Sequence, residues 1–273
     1  MKKALVLGGG GVAGIAWATG LLAGLADQGV DVTDADRIVG TSAGSTVGAQ
    51  ITSGLSLGEL LKRQTDPALQ GLELPSGVDM SELWSRLEEI ITGESDPVER
   101  RRLVGAMALA ADTIPESRRR EVIESRLPVH DWPDRDLVIV AVEAESGKEV
   151  FFGPASGVSL VDAVAASCAV PGVWPPVTIG GVRYVDGGVR TMNNADLAAG
   201  YDRVLVVSPM VDQLDLVAQV EALTGRVEII NPDEASMAAA APDPLAPESR
   251  KPSAEAGFQQ GKELAGRVGA LWG

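Results

Sequence analysis

The sequence predicts an α/β fold, and three observations carry this prediction. Short apolar runs typical of buried strands alternate with longer stretches that have helical periodicity. Ala, Val, Leu and Gly dominate, while aromatic residues make up only 4% of the chain, a composition that suits closely packed α/β layers. With 273 residues, 45% of them hydrophobic, the chain can bury a large core. We therefore expect one domain over residues 1–273.

The first half of the chain predicts two strand–helix pairs and then a long helical segment. The apolar run at 3–7 is expected to be a strand, and residues 12–28 a helix with small residues on one side. A second strand at 37–39 leads into a helix that begins at Ala43. Residues 55–126 are charge-rich and mostly helical by pattern, so we expect a lid-like or surface segment there.

The second half predicts four more strands, at 136–142, 182–185, 203–207 and 227–230. A hairpin is expected to turn at Ser146-Gly147 and to return through Phe151 and Phe152. Helices are predicted at 161–169 and 253–271. The Pro-, Ala- and Asp-rich stretch at 233–252 is typical of a loop or a short helix.

Composition excludes several classes of partner and cofactor. The net charge of −15 makes nucleic acid a poor partner and implies repulsion from an anionic bilayer. Any membrane contact should therefore be local and transient. One cysteine, Cys168, and one histidine, His130, exclude an internal disulfide and make a metal site improbable.

The N-terminal stretch resembles a signal peptide or a spanning helix only superficially. It begins Met1-Lys2-Lys3 and continues through an apolar run, but four consecutive glycines at 8–11 interrupt it. Each glycine costs a helix about 1 kcal/mol relative to alanine. Strand, turn and helix explain the stretch better, so we expect a cytoplasmic protein, or one at the membrane periphery.

Two basic clusters, at 100–102 and 118–120, hold the only concentrated positive charge of the sequence. The simpler interpretation is a solvated helix face. The alternative is a role in a lid or in docking to a surface.

The glycine run itself allows two interpretations. Gly9, Gly11 and Gly14 fit the GxGxxG spacing of a dinucleotide site, where backbone N–H groups and a helix N-terminus hold a pyrophosphate. The same groups could instead stabilise an oxyanion during acyl transfer.

A GxSxG motif follows at Gly40-Thr41-Ser42-Ala43-Gly44, between a strand-like and a helix-like run. A nucleophile elbow needs this context, because the serine sits on a strained strand-to-helix turn between residues without bulk. A simple Gly/Ser turn that caps the second helix remains the alternative.

The base that would activate Ser42 is not expected to be a histidine. A standard hydrolase triad runs Ser, then acid, then His along the chain, and no histidine follows the single His130, whose neighbours Asp131 and Pro133 are typical of a loop or the start of a strand. Asp186 is the better candidate, since it ends an apolar strand and is followed by two glycines. That placement predicts a carboxylate at the C-terminal edge of the sheet. An Asp-Gly turn is the alternative.

Four motifs in this order resemble the patatin-like phospholipases: the glycine run, GTSAGS, ASCAVPGVWPP at 166–176, and DGG at 186–188. The resemblance implies a three-layer α/β/α sandwich with a mostly parallel central sheet. It also implies a catalytic dyad in which Ser42 is the nucleophile and Asp186 the base, so that no histidine is needed.

The resemblance also assigns the glycine run to an oxyanion hole. The implied donors are the N–H groups of Gly9, Gly10 and Gly11, with that of Ala43 as a further one. The dinucleotide alternative lacks the acidic residue that should end the second strand. One departure concerns Ala13, which stands where the family usually has a cation and leaves the head-group preference open.

These observations predict a serine hydrolase for lipid or other acyl esters that works without metal or cofactor. Ser42 would form an acyl-enzyme, and Asp186 would activate first the serine and then water. An apolar pocket should raise the pKa of Asp186 above the value of about 3.9 for a free aspartate. A catalytically silent lipid- or partner-binding module on the same fold is the alternative, followed by a nucleotide- or flavin-binding protein that uses the GxGxxG spacing. The acyl chain, the physiological substrate and the oligomeric state stay open.

Overall fold

The computed structural model describes residues 1–211, 214–241 and 243–273. Its centre is a sheet of eight strands within these residues. The strands are β1 Lys3–Leu7, β2 Arg37–Thr41, β3 Asp136–Glu143, β4 Glu149–Phe152, β5 Val177–Ile179, β6 Val182–Asp186, β7 Arg203–Val207 and β8 Arg226–Ile230.

The α-helices of the described residues surround this sheet. They are α1 Gly11–Asp27, α2 Ala43–Ile51, α3 Leu57–Thr65, α4 Met80–Gly93, α5 Pro97–Ala110, α6 Glu116–Arg126, α7 Leu160–Ser167, α8 Leu214–Glu221, α9 Glu234–Ala240 and α10 Arg250–Trp272. Among them, no helix combines the length and the hydrophobicity that crossing a bilayer requires.

The strands β8, β7, β1, β2 and β3 are neighbours in that order, and all four pairings between them are parallel. Strand β4 forms an antiparallel hairpin with β3, and the β5–β6 hairpin joins β3 through an antiparallel pairing of β6. The sheet is therefore mostly parallel, with its antiparallel strands on one side.

Both faces of the sheet are buried, which explains the continuous apolar runs of the parallel strands. Side chains of β1 alternate between two cores: Leu5 and Leu7 join α1, α2, α7 and α10, whereas Ala4 and Val6 face the opposite layer. That second layer is thin, because a 3₁₀ turn at Ala195–Ala198 and helix α8 supply most of it. The predicted three-layer α/β/α fold is confirmed.

Helices α1 and α10 pack unusually closely along a stripe of glycines. A Cβ atom at any of four positions would lie 2.1–2.3 Å from a backbone oxygen of the other helix. The positions are Gly20, Gly24, Gly257 and Gly261. The small residues that the sequence places on one side of the first helix thus permit backbone-to-backbone contact.

We expect Gly261→Ala to destabilise the protein, because the added methyl group would lie 2.2 Å from the Leu21 carbonyl oxygen. Overpacking of this kind costs about 1–3 kcal/mol or more. The control is Gly266→Ala in the same helix, where nothing lies within 4 Å. That change should be neutral or should stabilise by about 0.5–1 kcal/mol. Urea unfolding of both variants measures the difference, and equal midpoints would contradict the packing described.

The segment at 55–126 is largely helical, as predicted, but its helices differ in their packing. Leu60 of α3 and Ile123 of α6 belong to the main core. Helices α4 and α5 instead contribute to a separate apolar cluster with Trp174 and Leu245. That this segment acts as a lid of a single domain stays a prediction.

Two elements are absent from the sequence-based predictions. Strand β5 has only three residues and follows Pro175-Pro176, a context that favours a loop. Helix α8 has only eight residues, and so short a segment cannot show a clear helical repeat of apolar residues in the sequence.

The solvated interpretation of the basic cluster at 118–120 is wrong for its central residue. The side chains of Arg118 and Arg120 are well exposed, but that of Arg119 is only 6% exposed. In the other cluster, Arg101 turns inward to an ion pair with Glu149.

Candidate active site

Ser42 stands between β2 and α2 in a strained backbone conformation. Its φ of +52° and ψ of −116° lie outside the regions that L-residues favour. Among the described residues, only Asn194 is another non-glycine residue with positive φ. Strain of this kind costs about 1–3 kcal/mol and clusters at functional sites. Ser42 thus has the backbone of the predicted elbow.

The flanking glycines are required by close approach. A Cβ atom at Gly44 would lie 1.9 Å from the carbonyl oxygen of Leu7, and one at Gly40 would lie 2.6 Å from the Cα of Ser45. The elbow can therefore fit against β1 and the first turn of α2 only without side chains at these positions.

The elbow is held by residues of the ASCAVPG motif that sequence reasoning did not single out. The Ser42 N–H donates to Ser167 Oγ at 2.9 Å. The Ser42 carbonyl accepts from Ser45 Oγ at 2.6 Å and from Cys168 Sγ at 3.2 Å. Burial raises the pKa of Cys168, so its thiol stays protonated and can donate. The sequence signal that could have indicated these contacts is the presence of small polar residues in the motif, next to the end of a predicted helix.

Asp186 lies beside Ser42 because of the way β2 and β6 both pair with β3. Strand β6 is antiparallel to β3, with Asp186 opposite Ala141, while the last residue of β2, Thr41, pairs with Val140. Since β4 occupies the other edge of β3 at these residues, β2 and β6 meet end to end along one edge. The C-terminal ends of β2 and β6 are therefore adjacent, and Asp186 lies at the C-terminal end of β2.

The Asp186 carboxyl is buried and has the electrostatic character of a base. Its Oδ1 accepts from the Gly188 N–H at 2.7 Å, and among the described residues Oδ2 has no partner with full hydrogen-bond geometry. Burial raises the pKa of Asp186 to about 7, although the Ser42 hydroxyl, the Gly188 N–H and Arg119 act to lower it. The expected rise is confirmed. The lack of an aligned partner for Oδ2 does not exclude proton transfer, because catalytic pairs are often loosely aligned before substrate binds.

The predicted oxyanion donors need one correction. The N–H of Gly9 donates to the carbonyl of Met192 at 2.9 Å, so that group is already occupied. Within the described residues, the N–H groups of Gly10, Gly11 and Ala43 donate to no protein acceptor. The donors that remain come from the beginnings of α1 and α2.

A small cavity adjoins Ser42, Ala43 and Gly11, with a volume of about 20 Å³. A cavity of about 10–15 Å³ on this measure is needed for one water molecule. Trp174 and Leu245 belong to its wall. The space beside Ser42 is therefore about that of one water molecule.

The single histidine lies apart from this cavity. The His130 ring is half-exposed on the surface, where Nδ1 is 3.8 Å from a carboxylate oxygen of Glu124. It is absent from the residues that line the Ser42 cavity.

We expect His130→Ala to leave ester hydrolysis within a few-fold of the wild type, because no catalytic group contacts the ring. Steady-state kcat/KM on one ester substrate measures this. A loss of about a hundredfold or more, typical of removing a general base, would instead assign the imidazole a catalytic role.

The fold and this geometry define an α/β protein with a buried serine–carboxylate site. The sequence pattern of the family described as Patatin-like phospholipase matches residues 5–199, well over half of the chain. The chain belongs to the patatin-like phospholipase family. Membership supports lipid acyl hydrolase activity.

One solved structure shares the fold at low sequence identity, and a second gives a weaker match. VipD from Legionella pneumophila matches with a TM-score of 0.53 and 15% identity over 97% of this chain and 67% of that chain. The type III effector protein ExoU matches with a TM-score of 0.44 and 17% identity over 97% of this chain and 53% of that chain. The chain thus spans about two thirds of the one and about half of the other. No curated protein gives a significant match.

Proposed function

We propose that the protein is a serine hydrolase that cleaves carboxylic esters of lipids through Ser42 and Asp186. The observation that carries the proposal is the strained, buried Ser42 beside a carboxyl whose pKa is raised to about 7. A base with a pKa near the working pH is suited to proton transfer. Family membership supports the lipid ester as the substrate class.

The reaction proceeds in two steps. Asp186 takes the proton of the Ser42 hydroxyl as Oγ attacks the ester carbonyl, and the resulting oxyanion faces the N–H groups of Gly10, Gly11 and Ala43. The alkoxide leaving group departs with the proton from Asp186, which leaves an acyl-enzyme. Asp186 then takes a proton from water, and hydroxide attack releases the fatty acid and returns the proton to Ser42.

Hydrolysis of a substrate panel tests the proposal. The panel contains p-nitrophenyl esters, lysophospholipids, diacyl phospholipids and neutral glycerides, each assayed with the wild type and with Ser42→Ala. We expect turnover of lipid esters by the wild type alone. Equal turnover by both proteins would mean that Ser42 is not the nucleophile, and the absence of turnover for every ester would favour a catalytically silent binding module on this fold.

The pH profile of the wild type should show one acid limb near pH 7. The ionised carboxylate is the active base, and burial raises the pKa of Asp186 to about 7. Activity should therefore be present above this value and should fall about tenfold per pH unit below it. Log kcat/KM against pH measures the limb in the wild type and in His130→Ala. If the limb disappears with His130, the imidazole is the proton acceptor.

A further inference from the structure

One buried side-chain amide contacts the neighbours of both Ser42 and Asp186. Asn194 Nδ2 donates to the hydroxyl oxygen of Thr41 at 2.9 Å and, over a longer distance of 3.4 Å, to the carbonyl oxygen of Gly187. Thr41 directly precedes Ser42, and Gly187 directly follows Asp186. Asn194 is fully buried. Its amide therefore spans the gap between the two chain segments that carry the proposed nucleophile and base.

This contact is important because β2 and β6 do not pair with each other. Within the described residues, each of the two strands pairs with β3, and they meet end to end along one edge of it. The sheet thus fixes each strand relative to β3, but no strand pairing joins the end of β2 to the end of β6. The Asn194 amide provides a link between these two ends.

The partners of the Asn194 amide determine its orientation. Its Oδ1 accepts from Arg190 Nη1 at 2.7 Å, and a guanidinium can only donate. Its Nδ2 also donates to the Thr191 carbonyl at 2.8 Å, and a carbonyl can only accept. The Arg190 guanidinium is itself held by two hydrogen bonds to the carboxylate of Asp196. The amide N–H groups are therefore directed towards Thr41 and away from Arg190.

The backbone of Asn194 explains part of its identity. Its φ of +55° and ψ of +40° lie in the left-handed region, which glycine adopts freely and which asparagine and aspartate adopt more readily than other L-residues. Glycine has no side chain, and an ionised aspartate has no donor. The turn alone would accept either of them, so the donor contacts account for the amide.

We propose that Asn194 is a positioning residue that holds the end of β2 and the turn after β6 together, and so fixes Ser42 Oγ against the Asp186 carboxyl. The inference rests on the proposed function and adds a residue to the same mechanism. Proton transfer needs both groups in place, and a displacement of about 1 Å can cost about 10²-fold in rate. Since Asn194 does not line the Ser42 cavity, its effect should fall on kcat and not on KM.

Two variants of Asn194 test the proposal. Asn194→Gly removes the amide and permits the left-handed backbone without strain. We expect its kcat on one ester substrate to fall about 10- to 100-fold, while KM stays within about threefold of the wild type. Asn194→Asp keeps an acceptor for Arg190 but cannot donate when ionised, so kcat should fall by a similar factor at pH 8. A kcat equal to that of the wild type in either folded variant would overturn the proposal.

Thr41→Val tests the route by which Asn194 acts. Valine keeps the branched shape of threonine and suits a strand, but it has no acceptor for the amide. We expect kcat to fall in this variant as well. Combined with Asn194→Gly, it should cost little more than Asn194→Gly alone, because both changes remove the same contact. Multiplicative losses would overturn the proposal, and so would an unchanged kcat in Thr41→Val if neither Asn194 variant folds.

The control variant is Gln219→Ala. Gln219 Oε1 accepts from the Ala195 N–H at 2.7 Å, so this side chain of α8 anchors the residue that follows Asn194. The variant loosens the same loop but keeps the Asn194 amide, and its kcat should stay within a few-fold of the wild type. An equal fall of kcat in Gln219→Ala and Asn194→Gly would mean that Asn194 only anchors its own loop, and the proposal would be overturned.

Hydrogen exchange separates this proposal from the proposed function, because it needs no substrate. Mass spectrometry compares the exchange of peptides that cover 39–45 and 184–190 in the wild type, Asn194→Gly, Thr41→Val and Gln219→Ala. We expect both peptides to exchange faster in Asn194→Gly and in Thr41→Val, but not in Gln219→Ala. This result would support the link even if the wild type cleaves no ester. Unchanged exchange of both peptides, or faster exchange confined to 191–198, would overturn the proposal.

Discussion

Replacement of Ser42 by alanine is expected to abolish ester hydrolysis and to leave the protein folded. The covalent route needs Oγ, and removal of a nucleophile that acts with its base costs on the order of 10⁴-fold or more. The fold should tolerate the change, since alanine keeps the Cβ atom and the hydrogen bonds of the elbow are made by the backbone of residue 42. kcat/KM and thermal unfolding of the variant measure the two effects.

The control for this change is Ser53→Ala. Ser53 lies just beyond α2, and its hydroxyl donates to the Gln50 carbonyl at 2.6 Å, so the variant also loses one hydroxyl near this helix. We expect its activity to stay within a few-fold of the wild type. Substantial turnover by folded Ser42→Ala would remove Ser42 from the mechanism.

Asp186→Asn is expected to lower kcat/KM by about 10²–10⁴-fold, the usual effect of removing a general base. The amide oxygen can still accept from the Gly188 N–H, so the shape of the site is kept while its proton acceptor is lost. Because the pKa of Asp186 is raised in the folded protein, its stabilising contribution is present at low pH and lost as pH rises through about 7. At pH 8 the variant should therefore be at least as stable as the wild type.

A double variant tests whether the two residues act as a unit. Ser42→Ala combined with Asp186→Asn should cost little more than either change alone. Asp136→Asn, an exposed carboxylate at the other end of β3, serves as the control and should have little effect. Independent, multiplicative losses would show that the pair is not a dyad.

The parts of the site that depend on local sequence could be predicted. The apolar run at 37–39 and the glycines around Ser42 specify a strand, a tight turn and a helix, and these are local properties. The strand that ends at Asp186 was likewise visible as an apolar run before two glycines. Sequence alone supplied both candidate residues, although not the route by which the sheet brings them together.

The remaining features depend on partners far away in the chain. The direction of β6 is decided by its pairing with β3, about 40 residues earlier, and an apolar run has no direction of its own. From the sequence, the N–H group of Gly9 is expected to be a free donor, but in the fold it donates to the carbonyl oxygen of Met192. Arg119 belongs to a charged run that suggests solvent, yet Glu73 and Trp174 bury it. Such contacts leave no local pattern in the sequence.

The central claim is that Ser42 is a nucleophile activated by Asp186, and covalent labelling tests it most directly. The wild type is treated with a fluorophosphonate, and intact mass and peptide mapping locate the adduct. We predict one adduct, on Ser42, that is lost in Ser42→Ala and forms more slowly in Asp186→Asn, while His130→Ala labels as the wild type does. An adduct on another residue, or equal labelling of Ser42→Ala, would contradict the claim.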